Sequence, residues 1–130
     1  MMALTILDAS VIIAAVLGEP GGDAVFDMID SAAVSAVNVA EVYTYAAIND
    51  LPTDAFDAFF AETGIEIAPF EHQQAIATGR LAAITRKVGL SLGDRSCIAL
   101  AQLREADVLT ADRPWEKVGP DVGVTIALLR

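Results

Sequence analysis

The chain has 130 residues, of which 55% are hydrophobic and 20% charged. That excludes a disordered segment and fits one globular domain, residues 1–130, able to bury a core without covalent staples. A net charge of -10 argues against a general nucleic-acid binder, and a lone cysteine, Cys97, excludes an internal disulfide framework or a cysteine zinc site.

The charge is unevenly spread. Residues 1–79 carry twelve acids and no Lys or Arg, whereas residues 80–130 carry six acids and all eight bases. The later part can therefore present a basic rim beside an acidic remainder. Residues 2–17 are mostly apolar, but no basic residue precedes them and Asp8 interrupts them. The stretch is also shorter than the ~20 residues a membrane span needs. It reads as a buried strand and helix, not an anchor or signal peptide.

Residues 3–7 form a short apolar run ending at Asp8, the pattern of a buried parallel strand. Residues 10–17 read as a helix closed by Gly18 and Pro20. A second helix is expected over 21–30, with Val25, Phe26 and Ile29 on its apolar side. Residues 32–35 suit a brief strand, and Ser35 is a good N-cap for a helix over 36–49. Pro52-Thr53-Asp54 starts another helix carrying Phe56, Phe59 and Phe60. Residues 65–68 look like a third strand. A longer helix is expected over 71–88, where Ala75, Ile76, Gly79, Ala82 and Ala83 recur at helical spacing and would permit close approach to a neighbour. A helix from Asp94 to Glu105, a strand at 108–109 ending near Asp112, and a last strand over 122–129 complete the pattern. Strands alternating with helices predict an α/β sandwich with a mostly parallel central sheet.

Four acids fall beside apolar runs, at the ends or first turns of these elements: Asp8, Glu41, Asp94 and Asp112. In open parallel sheets functional groups collect at the carboxyl ends of the strands. Asp8 and Asp112 follow strands, and the helix starts carrying Glu41 and Asp94 can face the same edge. Gathered together, the four would form a hard oxygen cage suited to a divalent cation. Each also has a plainer explanation: Asp94 as a helix cap, Asp112 as a turn residue before Arg113-Pro114, Glu41 as a surface helix residue. Asp8 is hardest to dismiss, because a carboxylate closing a buried strand is costly unless paired or metal-bound. Asn38 shares a helix face with Glu41. His72 is the only histidine and reads as a solvated helix residue. Ser10 has no histidine partner for a triad, and no glycine-rich phosphate loop is present. Trp115 is expected to pack the turn after Asp112. Tyr43 and Tyr45 read as core or interface residues.

The segments Leu7-Asp8-Ala9-Ser10, Ser35-x-x-Asn38-x-Ala40-Glu41-Val42, Leu92-Gly93-Asp94-x-x-Cys97-x-Ala99-Leu100-Ala101 and Leu109-Thr110-Ala111-Asp112-x-x-Trp115 occur in that order. Each is short, but the ordered set resembles PIN-domain ribonucleases, specifically the VapC toxins of type II toxin–antitoxin modules. The resemblance spans nearly the whole chain, with residues 50–85 adding helicity rather than motifs. It implies a PIN-like α/β/α sandwich and Mg2+ or Mn2+ held at Asp8, Glu41, Asp94 and Asp112. Asp8 and Asp94 would be the most direct ligands, with Glu41 orienting the metal or the attacking water. Ser10, Asn38 and Thr110 look like residues that hold the ligands or position substrate. The implied reaction is hydrolysis of RNA by water, leaving a 5′-phosphate and a 3′-hydroxyl. Arg86, Lys87, Arg95, Arg113 and Lys117 are candidates for phosphate contacts. The resemblance further implies a cytoplasmic homodimer and a VapB-like antitoxin, for which the apolar helix surfaces of residues 36–62 offer a seat. Three other readings stand beside the toxin: a PIN nuclease of RNA processing, a receiver-like phospho-acceptor module, and a PIN domain kept only for partner binding. The receiver's adjacent acid pair and late lysine are not evident, and retention of all four acids argues against a purely binding PIN domain.

Overall fold

A computed structural model describes residues 3–130. Five strands, β1 (Thr5–Leu7), β2 (Ala32–Ser35), β3 (Glu66–Ala68), β4 (Asp107–Thr110) and β5 (Ile126–Leu128), form one sheet in the order β3-β2-β1-β4-β5. Every neighbouring pair is parallel, with Leu7 opposite Val34 on one side and Leu109 on the other. The helices are α1 (Ala9–Leu17), α2 (Ala36–Ile48), α3 (Asp54–Thr63), α4 (His72–Ile84), α5 (Leu92–Arg104) and the short α6 (Gly119–Val122).

Side chains alternate across a strand, so a sheet covered on both faces sends neighbours into different cores. Ile6 and Ala33 join one apolar cluster with Cys97–Ala101 of α5, Leu81 of α4 and Trp115. Leu7 and Val34 join the other, with Val11 and Ile12 of α1, Val42 of α2 and Phe56 and Phe59 of α3. This is the three-layer sandwich expected from the sequence. Chain order and sheet order diverge at the centre: the chain moves outward from β1 to β2 and β3, then returns to place β4 on the other side of β1. The crevice above β1 and β4 is the switch point where open parallel sheets hold their ligands. This order also differs from the 2-1-3-4-5 order of receiver-like folds.

Three local expectations are corrected. Residues 21–30 form two short 3-10 segments, Gly22–Asp27 and Ile29–Ser31, rather than a helix. A Cβ at Gly22 would lie 2.2 Å from the Ala14 carbonyl oxygen, so the chain is pressed directly onto α1. Val25 is buried there while Phe26 is exposed. α4 ends at Ile84, and its inner face is not the stripe of small residues. Ile76, Gly79, Ala82 and Ala83 point to solvent, whereas Gln74, Thr78 and Leu81 are buried. The buried polar groups are satisfied: Ser35 Oγ donates to Gln74 Oε1 at 2.9 Å, Gln74 Nε2 to the Pro69 carbonyl, and Thr78 Oγ1 to the Gln74 carbonyl. Periodicity favours apolar stripes and is blind to a polar face paid for by hydrogen bonds. Finally, residues 119–122 are helical, so β5 starts only at Ile126.

Candidate metal centre

Asp8 leaves the end of β1 and caps α1, accepting from the Val11 N–H at 3.2 Å. Only 5% exposed, it also accepts from Ser10 Oγ at 2.6 Å on Oδ1 and from Thr110 Oγ1 at 2.7 Å on Oδ2. Each hydroxyl works twice. Ser10 Oγ accepts from the Ala111 N–H at 3.0 Å, and Thr110 Oγ1 accepts from the Asp112 N–H at 3.0 Å. The end of β4 is thereby laced to the end of β1, which fixes where Asp112 emerges. Asp112 itself is exposed, and its side chain makes no capping bond to the 3-10 turn Arg113–Val118 that follows.

Ser35 caps α2 as expected, accepting from the Val37 N–H. One turn in, Asn38 Nδ2 donates to Glu41 Oε1 at 2.7 Å and to the Gly93 carbonyl at 3.0 Å. Asn38 is buried, and its Oδ1 has no partner. The α5 cap is Ser91, not Asp94. Asp94 is the third helical residue and completes a capping box, with Ser91 Oγ accepting from the Asp94 N–H and Asp94 Oδ2 accepting from the Ser91 N–H at 2.9 Å. The capping reading of Asp94 is therefore half right, and the box leaves Oδ1 unengaged. Gly93 explains how α2 and α5 approach: a Cβ there would lie 2.2 Å from the Glu41 carboxylate.

The four acids line one cleft of about 390 Å3, together with Ala9, Ser10, Ile13, Glu19, Tyr45 and Arg130. Burial pushes Asp8 up from 3.8 to about 6, against the three hydrogen bonds that favour its charge, and the charge of Asp94 adds to the rise. Glu41 is raised by burial and then by Asp94, and Asp94 by burial and then by Asp112. The carboxylates thus feel one another across the cleft, each charge making its neighbour's ionisation costlier. Beneath them Cys97 is fully buried, its thiol pushed well up by burial and by the charges of Asp8, Asp94 and Glu41.

Among the described residues, no three acidic, His or Cys side chains converge closely enough to hold an ion unaided. The donor set nonetheless suits a hard cation. Among the described residues, its oxygens without a hydrogen bond are Glu41 Oε2, Asp94 Oδ1 and both of Asp112, on side chains that line one cleft. Mg2+ is ordinarily held by one or two carboxylates with water and substrate oxygens completing its shell.

None of the five bases singled out in the sequence lines this cleft. Arg95 turns to α4, donating from Nη1 to the Thr78 carbonyl at 2.9 Å; Arg86, Lys87, Arg113 and Lys117 are exposed elsewhere. The base that does line it is Arg130, which the sequence reading missed along with Glu19 and Tyr45. Tyr45 had a signal, being one helical turn beyond Glu41 on the same face; Arg130 had none. Trp115 is fully buried, as expected.

A family model described as the PIN domain matches residues 5–119. The chain belongs to the PIN-domain family. Solved structures share this fold at low identity. One is VapBC from Salmonella typhimurium bound to DNA, at 20% identity and TM-score 0.78, covering 99% of this chain and 100% of that one. A second is VapBC2 from Rickettsia felis bound to a DNA fragment from their promoter, at 15% identity and TM-score 0.75, with 96% and 98% coverage. A third is FitAcB from Neisseria gonorrhoeae, at 20% identity and TM-score 0.72, with 95% and 96% coverage. A comparison with curated proteins gives no match. Among the described residues of this PIN domain, no helix is long and apolar enough to cross a membrane.

Proposed function

We propose that this PIN domain is a metal-dependent endoribonuclease acting as the toxin of a type II toxin–antitoxin module. The observation that carries the reading is the convergence of Asp8, Glu41, Asp94 and Asp112 on one cleft at the switch point of the sheet. Fold likeness to VapBC and FitAcB favours the toxin role over an RNA-processing PIN nuclease.

Asp8, Asp94 and Glu41 would hold Mg2+ or Mn2+, with Asp112 at the open side. When bound, such an ion supplies Lewis acidity that activates water and offsets charge building on the phosphate. Everything else falls to the chain. Ser10 and Thr110 hold the Asp8 carboxylate in one orientation, and Asn38 does the same for Glu41. Glu41, with Oε2 unengaged and its proton affinity raised, is suited to accept a proton from the attacking water. No covalent enzyme intermediate is required, because water is the nucleophile; the Ser10 hydroxyl is held between the Asp8 carboxylate and the Ala111 N–H.

A VapB-like antitoxin would suit the groove lined by Ala15, Val16, Phe26, Ala55, Ala58 and Phe59 and edged by Glu62, and an arginine from it would suit the acidic cleft. A homodimer and a cytoplasmic setting complete the proposal.

The test is cleavage of total bacterial RNA by purified protein with Mg2+, Mn2+ or EDTA, beside Asp8→Ala. Metal-dependent cuts that vanish in the variant and carry 5′-phosphates are expected. Cutting that survives EDTA or Asp8→Ala would overturn the mechanism. Normal growth on expression without an antitoxin would move the reading to an RNA-processing nuclease.

A further inference from the structure

Two side chains in the acid cleft have no part in holding a metal. Tyr45 is 36% exposed, and neither its ring nor its hydroxyl meets an aromatic or hydrogen-bonding partner among the described residues. The neighbouring aromatics behave otherwise: Tyr43, Phe26, Phe56, Phe59 and Phe60 pack ring against ring. Among the described residues, Arg130 is the only base lining the cleft. Its guanidinium donates from Nη1 to the Pro20 carbonyl at 3.0 Å and from Nη2 to Glu19 Oε1 at 3.4 Å. Both members of that ion pair are more than a third exposed. Such a pair contributes little to stability, so a structural tie is a weak reason for a guanidinium in a cleft of carboxylates.

We infer that Tyr45 and Arg130 form a one-nucleotide subsite beside the acids, in which a base of single-stranded RNA stacks on Tyr45 and its phosphate takes the Arg130 guanidinium from Glu19. An exposed tyrosine face is a sequence-tolerant platform for any base. The guanidinium fork matches a phosphate better than it matches one carboxylate oxygen at 3.4 Å. Glu19 is then a competitor: it holds Arg130 within the cleft lining in the free protein, and substrate must displace it. A subsite of this kind gives a strongly acidic cleft a grip on RNA without a broad basic surface, and it favours unpaired strands because only an unstacked base can reach Tyr45.

This inference deepens the RNA-hydrolase reading and is tested by binding, so the two can fail separately. The probe is a short 5′-fluorescein oligoribonucleotide of mixed sequence, mixed with the folded protein and Mn2+ and read by anisotropy before appreciable cutting. Tyr45→Ala should weaken binding on the order of tenfold while Tyr45→Phe binds as the unsubstituted protein, because the ring and not the hydroxyl stacks. Arg130→Ala should weaken binding and lower the salt slope by about one, whereas Tyr45→Ala leaves the slope unchanged. Glu19→Gln should tighten binding, and that gain should disappear in the Arg130→Ala background. If Arg130 and Glu19 only tie the chain together, both substitutions lower the thermal midpoint and neither moves binding, which overturns the inference. A gain from Glu19→Gln that persists without Arg130 overturns it as well, by reducing Glu19 to bulk repulsion. Binding without cutting would sink the hydrolase reading and leave the subsite; no binding by the unsubstituted protein would sink both.

Discussion

Asp8 and Asp112 leave the ends of adjacent parallel strands and enter one cleft, yet they are built in opposite ways. Asp8 is buried, takes three hydrogen bonds and holds its proton up to about 6. Asp112 is exposed and makes no side-chain cap bond; what is fixed is its backbone, the N–H by Thr110 Oγ1 and the carbonyl by the Trp115 N–H. The β1 corner is a preorganised, strained charge, and the β4 corner is an adjustable one. Under the proposed function, the site would grip an ion and still admit a phosphate, which calls for both kinds, a rigid ligand to set the position and a loose one to yield.

The sharpest way to break this contrast is to neutralise each acid in turn. Asp8→Asn keeps shape and removes the rigid ligand, and should lower metal-dependent RNA cleavage about a thousandfold or more. Asp112→Asn should cost only about ten- to a hundredfold, the scale of groups that tune a metal rather than fix it. Initial rates at matched Mn2+ concentrations check this; equal losses would mean that burial does not rank the two acids.

Gly93→Ala probes how α2 and α5 share the cleft. The new methyl would occupy the Glu41 carboxylate position, 2.2 Å away, and Glu41 is a long side chain that can swing aside. Activity should fall about a hundredfold from a misplacement of roughly 1 Å, with the fold losing about 1–3 kcal/mol at most. Urea unfolding beside the cleavage rate separates the two. A collapse of stability would show that Glu41 cannot yield.

The strain at Asp8 should also appear as a pH dependence. Its carboxyl titrates near 6 in the folded chain against 3.8 when unfolded, so between those values the folded state binds more protons. Stability in EDTA should therefore fall as pH rises from about 4 to 6, by about 3 kcal/mol for this group. Glu41 and Asp94 are raised and push the same way; Glu66, lowered by its partner Arg104, opposes them weakly at an exposed site. Asp8→Asn should flatten the fall, and Mn2+ at neutral pH should restore what the unpaired charges take away. Stability rising through this window would contradict the buried-charge account.

These contrasts also explain what the sequence could and could not reveal. Strand ends next to acids are visible because burial of β1 and β4 is written in their apolar runs, and the Ser35 cap in a local residue preference. The inner face of α4 escapes periodicity because Gln74 and Thr78 look like surface residues until Ser35 and Pro69 are seen to satisfy the Gln74 side chain, and the Gln74 carbonyl the Thr78 hydroxyl. Of the phosphate-contact candidates Arg86, Lys87, Arg95, Arg113 and Lys117, Arg95 and Arg113 directly follow site acids in sequence, yet the Arg95 guanidinium donates to the Thr78 carbonyl. Arg130 reaches the cleft from 111 positions beyond Glu19, as their hydrogen bond records, a juxtaposition no local pattern encodes. Gly93 is the intermediate case: it stands beside Asp94 in sequence, but its meaning comes from Glu41, which only folding brings near.

The smallest effects should come from the hydroxyls that join the two corners. Thr110→Val removes the donor to Asp8 Oδ2 and the acceptor for the Asp112 N–H in one change. Ser10→Ala likewise removes the donor to Asp8 Oδ1 and the acceptor for the Ala111 N–H. The two substitutions are formally equivalent, but Thr110 is fully buried and Ser10 is not. Water can replace the Ser10 hydroxyl, whereas nothing reaches the place of Thr110, so its loss leaves buried groups unpaired at about 1–3 kcal/mol. Manganese affinity should accordingly fall about tenfold or more in Thr110→Val and less in Ser10→Ala. Asp8 should titrate higher still in Thr110→Val, because one of the bonds favouring its charge is gone. Titration calorimetry with Mn2+ orders the pair, and a larger loss for Ser10→Ala would place the critical lace at the open edge of the cleft rather than in its floor.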